Sequence, residues 1–259
     1  MGSLLTNADR STPPREPFHA PPWNLTGRGY VVVMRFTQDF LRTQAFLDDG
    51  LRSSLRGTMA YWMFVDYRTA DCGPYRELLF IPGRCRFSQG RFLTISRIYV
   101  STSASVINGQ RNWGIPKERC DFEVTYSRDR RDHIRLLSGG KPLAELAFQP
   151  FGPAFPMFLG LLPERWLTLG QHYQGKEFVY LPKATGRARL ACLKQRWVAP
   201  DLFPDLVQGT PLACFAVDDF QMVFPIATVT EIAPQVRATS CSHGGGGLDS
   251  NISRSSPQA

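Results

Sequence analysis

The stretch from Asn108 to Phe122 contains a lysine, Lys117, that directly follows a proline. Its neighbours in the sequence are largely apolar: Trp113, Ile115 and Cys120. Apolar surroundings disfavour the ammonium form, so an amine held there is partly neutral and can attack a ketone carbonyl. Taken alone, the same stretch also fits an ordinary lysine in water, which is the commoner case.

Short runs rich in β-branched and aromatic residues must position this lysine, and they predict strands. They cover residues 30–36, 58–67, 75–81, 92–100, 122–126, 134–137, 143–148, 178–181, 187–197 and 212–229. Turn-forming residues separate them, as at 69–74 and 138–141. One helix is predicted after the first strand, with Thr37 as its N-cap and Gly50 at its C-terminal end. Residues 150–170 are predicted to be irregular or partly helical.

Many short strands, one helix and no β-α alternation predict an α+β, mainly antiparallel β fold, either a large barrel or a sandwich. No internal linker divides the core, so residues 21–235 are expected to form one domain. The first 20 residues are rich in proline, and residues 236–259 hold four consecutive glycines and several serines. Both ends are therefore expected to be flexible tails.

The charge pattern argues against a nucleic-acid partner. The formal net charge is +8, from 30 basic and 22 acidic residues, but the basic residues are scattered rather than arranged in a stripe with aromatics. No apolar run is long enough to span a bilayer, and no secretory signal opens the chain. Six cysteines occur without a C-x-x-C pair. These features together favour a reducing, cytoplasmic location.

Two further site classes are not expected. The four histidines are far apart and lack metal-ligand spacing, so no metal site is predicted. His243 and the glycines after it imitate the oxyanion loop of lipases, but the chain has no G-x-S-x-G motif. That segment is interpreted as a linker.

Three segments resemble the acetoacetate decarboxylase superfamily in order and spacing: residues 22–30, 73–80 and 109–117. The resemblance covers most of residues 22–232. It implies a cone-like antiparallel β-barrel with few helices, in which a lysine after a proline forms a Schiff base with a β-keto acid. It also implies no cofactor, a small keto-acid or ketone substrate, and a possible homo-oligomer.

The resemblance assigns roles to specific residues. The Schiff-base lysine corresponds to Lys117, and the active-site glutamate and arginine correspond to Glu77 and Arg28. Arg28 could hold the substrate carboxylate or orient Glu77, and Glu77 could orient the substrate or move a proton. An ordinary arginine–glutamate salt bridge at the barrel mouth is the alternative for this pair. Tyr75 and Trp113 are expected to line a hydrophobic substrate pocket, although buried aromatics are more often plain core.

The sequence departs from the family pattern at two positions. Family decarboxylases have a second lysine where this chain has Glu118, which on a strand would point away from Lys117. They also have a second glutamate on the preceding strand, whereas residues 57–67 contain none. The missing position aligns near Ala60, and Asp66 is the nearest acid. Imine formation therefore has more support from the sequence than decarboxylation does.

Three functions stay open on these residues. The first is a lyase that decarboxylates a β-keto acid through a Lys117 imine and enamine. The second keeps the imine but performs aldol condensation with dehydration, or cyclisation, on a keto acid or polyketide-like metabolite. The third is a barrel that binds an apolar ligand or templates a cyclisation without covalent catalysis. Product analysis separates the first two, and replacement of Lys117 separates both from the third.

Overall fold

The computed structural model describes residues 16–127 and 131–232 of the chain. The strands are β1 (Trp23–Arg35), β2 (Met59–Thr69), β3 (Tyr75–Ile81), β4 (Gly83–Phe87), β5 (Gly90–Thr94), β6 (Arg97–Val100), β7 (Lys117–Arg119), β8 (Asp121–Thr125), β9 (Asp132–Ser138), β10 (Lys141–Phe158), β11 (Leu169–Tyr173), β12 (Lys176–Tyr180), β13 (Lys183–Val198), β14 (Thr210–Phe224) and β15 (Thr228–Glu231). The helices are α1 (Gln38–Thr43), α2 (Asp49–Arg52), α3 (Ser103–Trp113) and α4 (Glu164–Leu167), with 3-10 turns at Leu159–Leu161 and Leu206–Gln208.

Ten strands form one sheet in the order β7-β6-β3-β2-β1-β14-β13-β10-β9-β8. All neighbours in it are antiparallel except β6 and β7. The two edge strands, β7 and β8, are separated in the chain by Cys120 alone. The chain therefore brings the two edges of the sheet together, and the sheet curls into a nearly closed barrel. A second sheet has the order β15-β12-β11-β5-β4.

Each face of the ten-stranded sheet packs against its own hydrophobic core, because successive side chains on a strand point to opposite faces. On β3, Leu78 and Phe80 point into the barrel, where they join residues from strands around the sheet. We call this the inner core. Tyr75 and Leu79 point outward to a second cluster that also includes residues of α3 and the five-stranded sheet. We call this the outer core, and Lys117 lies against it.

The mainly β, barrel-like fold is confirmed, and β3 has the predicted bounds. Thr37 is the N-cap of α1, where its hydroxyl accepts a hydrogen bond from the Phe40 amide at 3.2 Å. However, α1 ends at Thr43 rather than at Gly50, so the predicted C-terminal end is wrong. The chain takes a left-handed conformation at Phe46, with φ of 55°, and Asp48 then caps the separate helix α2. A left-handed residue cannot continue a right-handed helix.

Three other predictions from the sequence differ from the structure. The strand expected at 92–100 is two strands, because β5 belongs to the second sheet and β6 to the first. The first part of 150–170, expected to be irregular, continues strand β10 as far as Phe158. Helix α3 was not predicted, since its buried positions are mostly small or polar residues that give no apolar stripe.

The predicted tails lie almost wholly outside the described residues, and the proposed domain bounds stay a prediction. Within the part of the chain that the structure describes, no helix is both long and apolar enough to cross a membrane. The same residues include no group of three or more histidine, cysteine, aspartate or glutamate side chains arranged to hold a metal ion. The described cysteines are free thiols: Cys72, Cys85, Cys120, Cys192 and Cys214.

Candidate active site

Lys117 is the first residue of β7, and the preceding helix α3 determines its position. Gly114 ends α3 in a left-handed conformation, with φ of 62°. The chain then turns through Ile115 and Pro116, and Lys117 pairs with Ile98 of β6 in parallel register. Only 3% of Lys117 is exposed, so its amine is buried in the outer core rather than in water.

Three polar side chains surround the Lys117 amine. Its Nζ lies 3.0 Å from the Ser105 hydroxyl, 3.3 Å from the Tyr75 hydroxyl and 3.5 Å from Oε2 of Glu77. Ser105 comes from α3, whereas Tyr75 and Glu77 are alternate residues on one face of β3. An ammonium group has three donors, and these partners are enough to satisfy all of them without water.

Glu77 is held from the other side by β2. Its Oε1 accepts a hydrogen bond of 2.8 Å from the Tyr67 hydroxyl, while its Oε2 faces Lys117. The register pairs Tyr67 with Tyr75, and their ring centroids are 4.6 Å apart. The carboxylate is therefore fixed between a hydroxyl donor and the amine, with 4% of Glu77 exposed.

The hydroxyls of Tyr67 and Tyr75 stay protonated over the whole neutral range. Burial raises the pKa of Tyr67 well above its ordinary value, and the negative charge of Glu77 raises it further. The same two causes raise the pKa of Tyr75. Both hydroxyls therefore keep their protons beside the carboxylate.

A cavity of about 30 Å³ adjoins the amine. Its walls are largely aromatic and aliphatic, and the predicted pocket residues Tyr75 and Trp113 are both among them. The lining consists of Trp23, Leu25, Tyr67, Tyr75, Glu77, Leu79, Ile95, Ile98, Trp113, Ile115, Lys117 and Phe224. This volume has room for about one or two water molecules. The cavity in this structure is therefore nearly closed.

The segment before β1 covers this cavity through contacts with α3. Asn108 accepts from the His19 amide at 2.8 Å and donates to the Pro17 carbonyl at 3.0 Å. Asn112 donates to the His19 carbonyl at 2.8 Å, and the Trp23 indole donates to the same carbonyl at 3.0 Å. Two buried asparagines of α3 thus fix the chain that carries Trp23 into the cavity wall.

Gly109 gives the lysine side chain its path across α3. A Cβ at this position would lie 2.6 Å from Cδ and 2.8 Å from Cε of Lys117. Separations this short are not tolerated between carbon atoms. The absence of a side chain at Gly109 is therefore what lets Lys117 lie against the helix.

The structure does not bring Arg28 to Lys117 or Glu77. Arg28 pairs with Asp66 across β1 and β2, and its side chain lies on the inner face of the sheet. Its guanidinium stacks on the Tyr126 ring, 3.0 Å from the centroid. Glu77 pairs with Val65 and points to the outer face. The two residues match the family motifs in chain order, but they are on opposite faces of the barrel wall.

The two departures from the family pattern also have definite positions. Glu118 points away from the amine, as expected from strand alternation, and forms an ion pair with Arg97. Ala60 belongs to the inner core, so its side chain is not on the lysine side of β2. On the lysine side, Tyr67 supplies the second polar group next to Glu77. The phenol of Tyr67, on β2, thus lies beside Glu77, on β3.

Sequence reasoning did not identify three residues of the site. Ser105 is twelve positions before Lys117 on a helix whose pattern was not recognised. Tyr67 follows from strand alternation only once the pairing of β2 with β3 is known. Trp23 was noted as part of a family segment, but its place in the cavity wall depends on the packing of the N-terminal segment on α3.

Several solved structures share this fold. A chain described as acetoacetate decarboxylase has a TM-score of 0.63 and 15% identity, covering 86% of this chain and 95% of that one. The acetoacetate decarboxylase from Legionella pneumophila has a TM-score of 0.60 and 13% identity, covering 88% and 98%. The enduracididine biosynthesis enzyme MppR, solved with the condensation product of pyruvate and imidazole 4-carboxaldehyde, has a TM-score of 0.58 and 14% identity, covering 83% and 91%.

At these identities the structures establish a shared fold and no shared reaction. No curated protein matches the chain. The sequence profile of the family described as acetoacetate decarboxylase, however, matches residues 7–162. This range includes β1, β3 and β7, the strands that carry Arg28, Glu77 and Lys117. The chain belongs to the acetoacetate decarboxylase family.

Proposed function

We propose that the protein is an enzyme that forms an imine between Lys117 and a carbonyl substrate and then breaks or forms a carbon–carbon bond next to that imine. The observation that carries this proposal is the buried amine, which lies within 3.0–3.5 Å of Ser105, Tyr75 and Glu77. A nucleophile next to an oriented acid–base group in an apolar pocket is the usual arrangement for covalent catalysis.

The first step adds the neutral Lys117 amine to the ketone carbon. Loss of the carbonyl oxygen as water gives an iminium ion at Nζ. This step needs a proton acceptor for the amine and a proton donor for the leaving oxygen. Glu77 is near enough to Nζ to exchange protons with it, and Tyr67 holds the other carboxylate oxygen in place.

With a β-keto acid, the iminium then draws electrons from the bond to the carboxylate. That bond breaks, carbon dioxide leaves, and the electron pair forms an enamine whose nitrogen is Nζ of Lys117. The enamine carbon takes a proton, and water hydrolyses the resulting imine to release a ketone and the free amine. Trp113, Ile115 and Leu79 form an apolar part of the pocket wall. Such a wall destabilises the charged carboxylate relative to neutral carbon dioxide.

A specific observation favours a second reaction, aldol condensation followed by dehydration. Among the residues that line the cavity, Lys117 is the only cation, and Arg28 is on the other face of the sheet. A neutral ketone, which has no carboxylate and can undergo the aldol reaction but not decarboxylation, therefore fits this lining better than a β-keto acid does. MppR, which shares the fold, was solved with a condensation product. In this reaction the enamine attacks an aldehyde, and water leaves the adduct.

Substrate entry requires the cavity to open. Its volume of about 30 Å³ is far below the roughly 300–1,000 Å³ of typical ligand pockets. The wall formed by Trp23 is held by the hydrogen bonds of Asn108 and Asn112 to the segment before β1. Breaking these hydrogen bonds would allow Trp23 to move and the cavity to open.

Borohydride trapping tests the proposal. The protein is mixed with acetoacetate, pyruvate or a neutral ketone, reduced, digested and mapped by mass spectrometry. We expect a secondary amine on Lys117, and the adduct mass reports whether carbon dioxide was lost before reduction. Lys117→Arg should give no adduct there. Lys176, which is half-exposed and pairs with Glu231 at 3.4 Å, supplies the matched control variant Lys176→Arg.

The outcomes separate the three functions. An adduct that has lost carbon dioxide supports decarboxylation, and an intact adduct that yields a condensation product with an added aldehyde supports the aldol reaction. No adduct across the panel would overturn the imine. If Lys117→Ala then also kept wild-type turnover or ligand affinity, the non-covalent barrel would be the correct function.

A further inference from the structure

A second cavity, of about 580 Å³, opens on the inner face of the barrel wall and shares no lining residue with the Lys117 cavity. It is lined by four arginines and three aspartates, which come from β1, β2, β13 and β14. Its volume is within the roughly 300–1,000 Å³ typical of small-molecule sites. Unlike the Lys117 cavity, it is large enough for a metabolite without any movement.

An irregularity in β14 shapes this cavity. The pairing of β14 with β1 shifts register between Gly27 and Gly29, and its pairing with β13 shifts between Thr185 and Arg187. Both shifts include Asp219, which has a positive φ of 48°. Bulges of this kind redirect side chains and are common beside functional sites. Here the bulge lies where side chains of four neighbouring strands line one cavity.

The charges in the cavity do not cancel. Each of the three aspartates already has an arginine partner: Asp66 with Arg76 at 3.3 Å, Asp218 with Arg189 at 3.0 Å and Asp219 with Arg68 at 2.5 Å. Neither Arg28 nor Arg187 forms an ion pair within 4 Å with a carboxylate of the described residues. Two guanidinium groups therefore remain for a ligand.

Arg28 is held ready for such a ligand. Its guanidinium lies 3.0 Å from the centroid of the Tyr126 ring, and the Tyr126 hydroxyl donates to Asp66 at 2.5 Å. Asp66 is in turn fixed by Arg76. Stacking on an aromatic ring leaves the edge of a guanidinium free to donate several hydrogen bonds in one plane. Arg187, from β13, is exposed and lines the same cavity.

We propose that this cavity is a second ligand site, which binds an anionic group with several acceptor oxygens, a phosphate ester or a dicarboxylate, between Arg28 and Arg187. Two guanidinium groups without a carboxylate partner among the described residues match such an anion in charge and in hydrogen-bond geometry. The paired aspartates leave acceptor oxygens for hydroxyl or amino groups elsewhere on the ligand. This site does not depend on the imine chemistry proposed for Lys117.

Calorimetric titration of the full chain at low ionic strength tests the site, with inorganic phosphate, succinate and acetate as probes. We expect saturable binding with one site per chain for phosphate or succinate, and much weaker binding for acetate. Arg187→Gln and Arg28→Gln should each weaken binding tenfold or more. Arg52→Gln, which removes an exposed surface arginine paired with Asp49 at 3.0 Å, should bind as the wild type does.

The results decide both the existence and the class of the site. Stronger binding of phosphate identifies a phosphate-bearing ligand, and stronger binding of succinate identifies a dicarboxylate. Lys117→Ala should keep the affinity, which separates this site from the imine proposal. Absence of saturable binding, or equal affinity in the Arg187→Gln and wild-type proteins, would overturn it. Because Arg187 is exposed, its variant tests the site even if Arg28→Gln folds poorly.

Discussion

Gly109 of α3 and the aliphatic chain of Lys117 are in such close contact that a Cβ on the glycine would lie 2.6 Å from Cδ of the lysine. Glycine inside a helix ordinarily costs roughly 1 kcal/mol relative to alanine. The helix α3 bears this cost at Gly109, and the lack of a side chain there leaves room for the aliphatic chain of Lys117. Alanine at this position would favour the helix but would displace the lysine side chain.

The variant Gly109→Ala should separate these effects. We expect the amine to be displaced from Ser105 and Glu77 and the rate of borohydride trapping at Lys117 to fall by tenfold or more, despite the gain in helix propensity. The matched control is Gly50→Ala in α2, where a Cβ would meet nothing closer than 3.8 Å. Equal trapping rates in both variants would show that the glycine is not needed for the amine.

The buried pair of Lys117 and Glu77 should show strong coupling in stability. Loss of one partner leaves the other charge buried and uncompensated, which typically costs about 3–5 kcal/mol. We expect Glu77→Gln and Lys117→Met each to lower the free energy of unfolding in urea, and the double variant to be more stable than either single variant. Additive losses in the double variant would contradict a charged pair.

Glu118 should have little influence on the amine, even though it follows Lys117 directly. Its side chain points away from the cavity, is about half exposed at 53% and pairs with Arg97. Exposed pairs of this kind contribute about 1 kcal/mol at most. Glu118→Lys, which restores the lysine doublet of the family, is expected to change the trapping rate by less than about threefold. A larger increase would show that the residue acts on the amine through the strand.

Tyr67 and Tyr75 should make the fold sensitive to alkali. Their pKa values are raised in the folded protein by burial and by Glu77, whereas the unfolded chain ionises them near pH 10. Their contribution to stability is thus complete below about pH 10 and is lost as the pH rises above it, by about 1.4 kcal/mol per unit and tyrosine. Urea unfolding at increasing pH, with Tyr67→Phe as the comparison, measures this loss. An unchanged slope in Tyr67→Phe would exclude this tyrosine as its source.

The features that could be predicted from the sequence are those marked by a pattern within their own segment of the chain. The β-rich composition of residues 75–81 and the turn before them were sufficient to place Glu77 on a strand with the observed bounds. Alone, the proline–lysine stretch favoured an ordinary surface lysine, and the order of the three family segments was needed to select Lys117 as a candidate. Helix α3 gave no such signal, because its buried residues are chosen to fit the lysine and the N-terminal segment rather than to form an apolar stripe.

The positions that were not predictable depend on which face of the sheet a residue occupies. Arg28 and Glu77 follow the family order along the chain, but order alone does not tell on which side of the barrel wall each side chain lies. Tyr67 could be assigned to Glu77 only from the register of β2 and β3. The proposed anion site at Arg28 depends on a bulge in β14. Nothing in the sequence of β1, the strand that carries Arg28, indicates this bulge.

The single-residue connection between β7 and β8 places the proposed nucleophile at a junction of the fold. Lys117 begins the strand at one edge of the sheet, and Cys120 carries the chain to the other edge. The strand that carries the Lys117 amine is thus part of the seam of the barrel. The side chains that surround the Lys117 amine come from α3 and β3, so the amine proposed as the nucleophile leaves water only when both elements pack against β7.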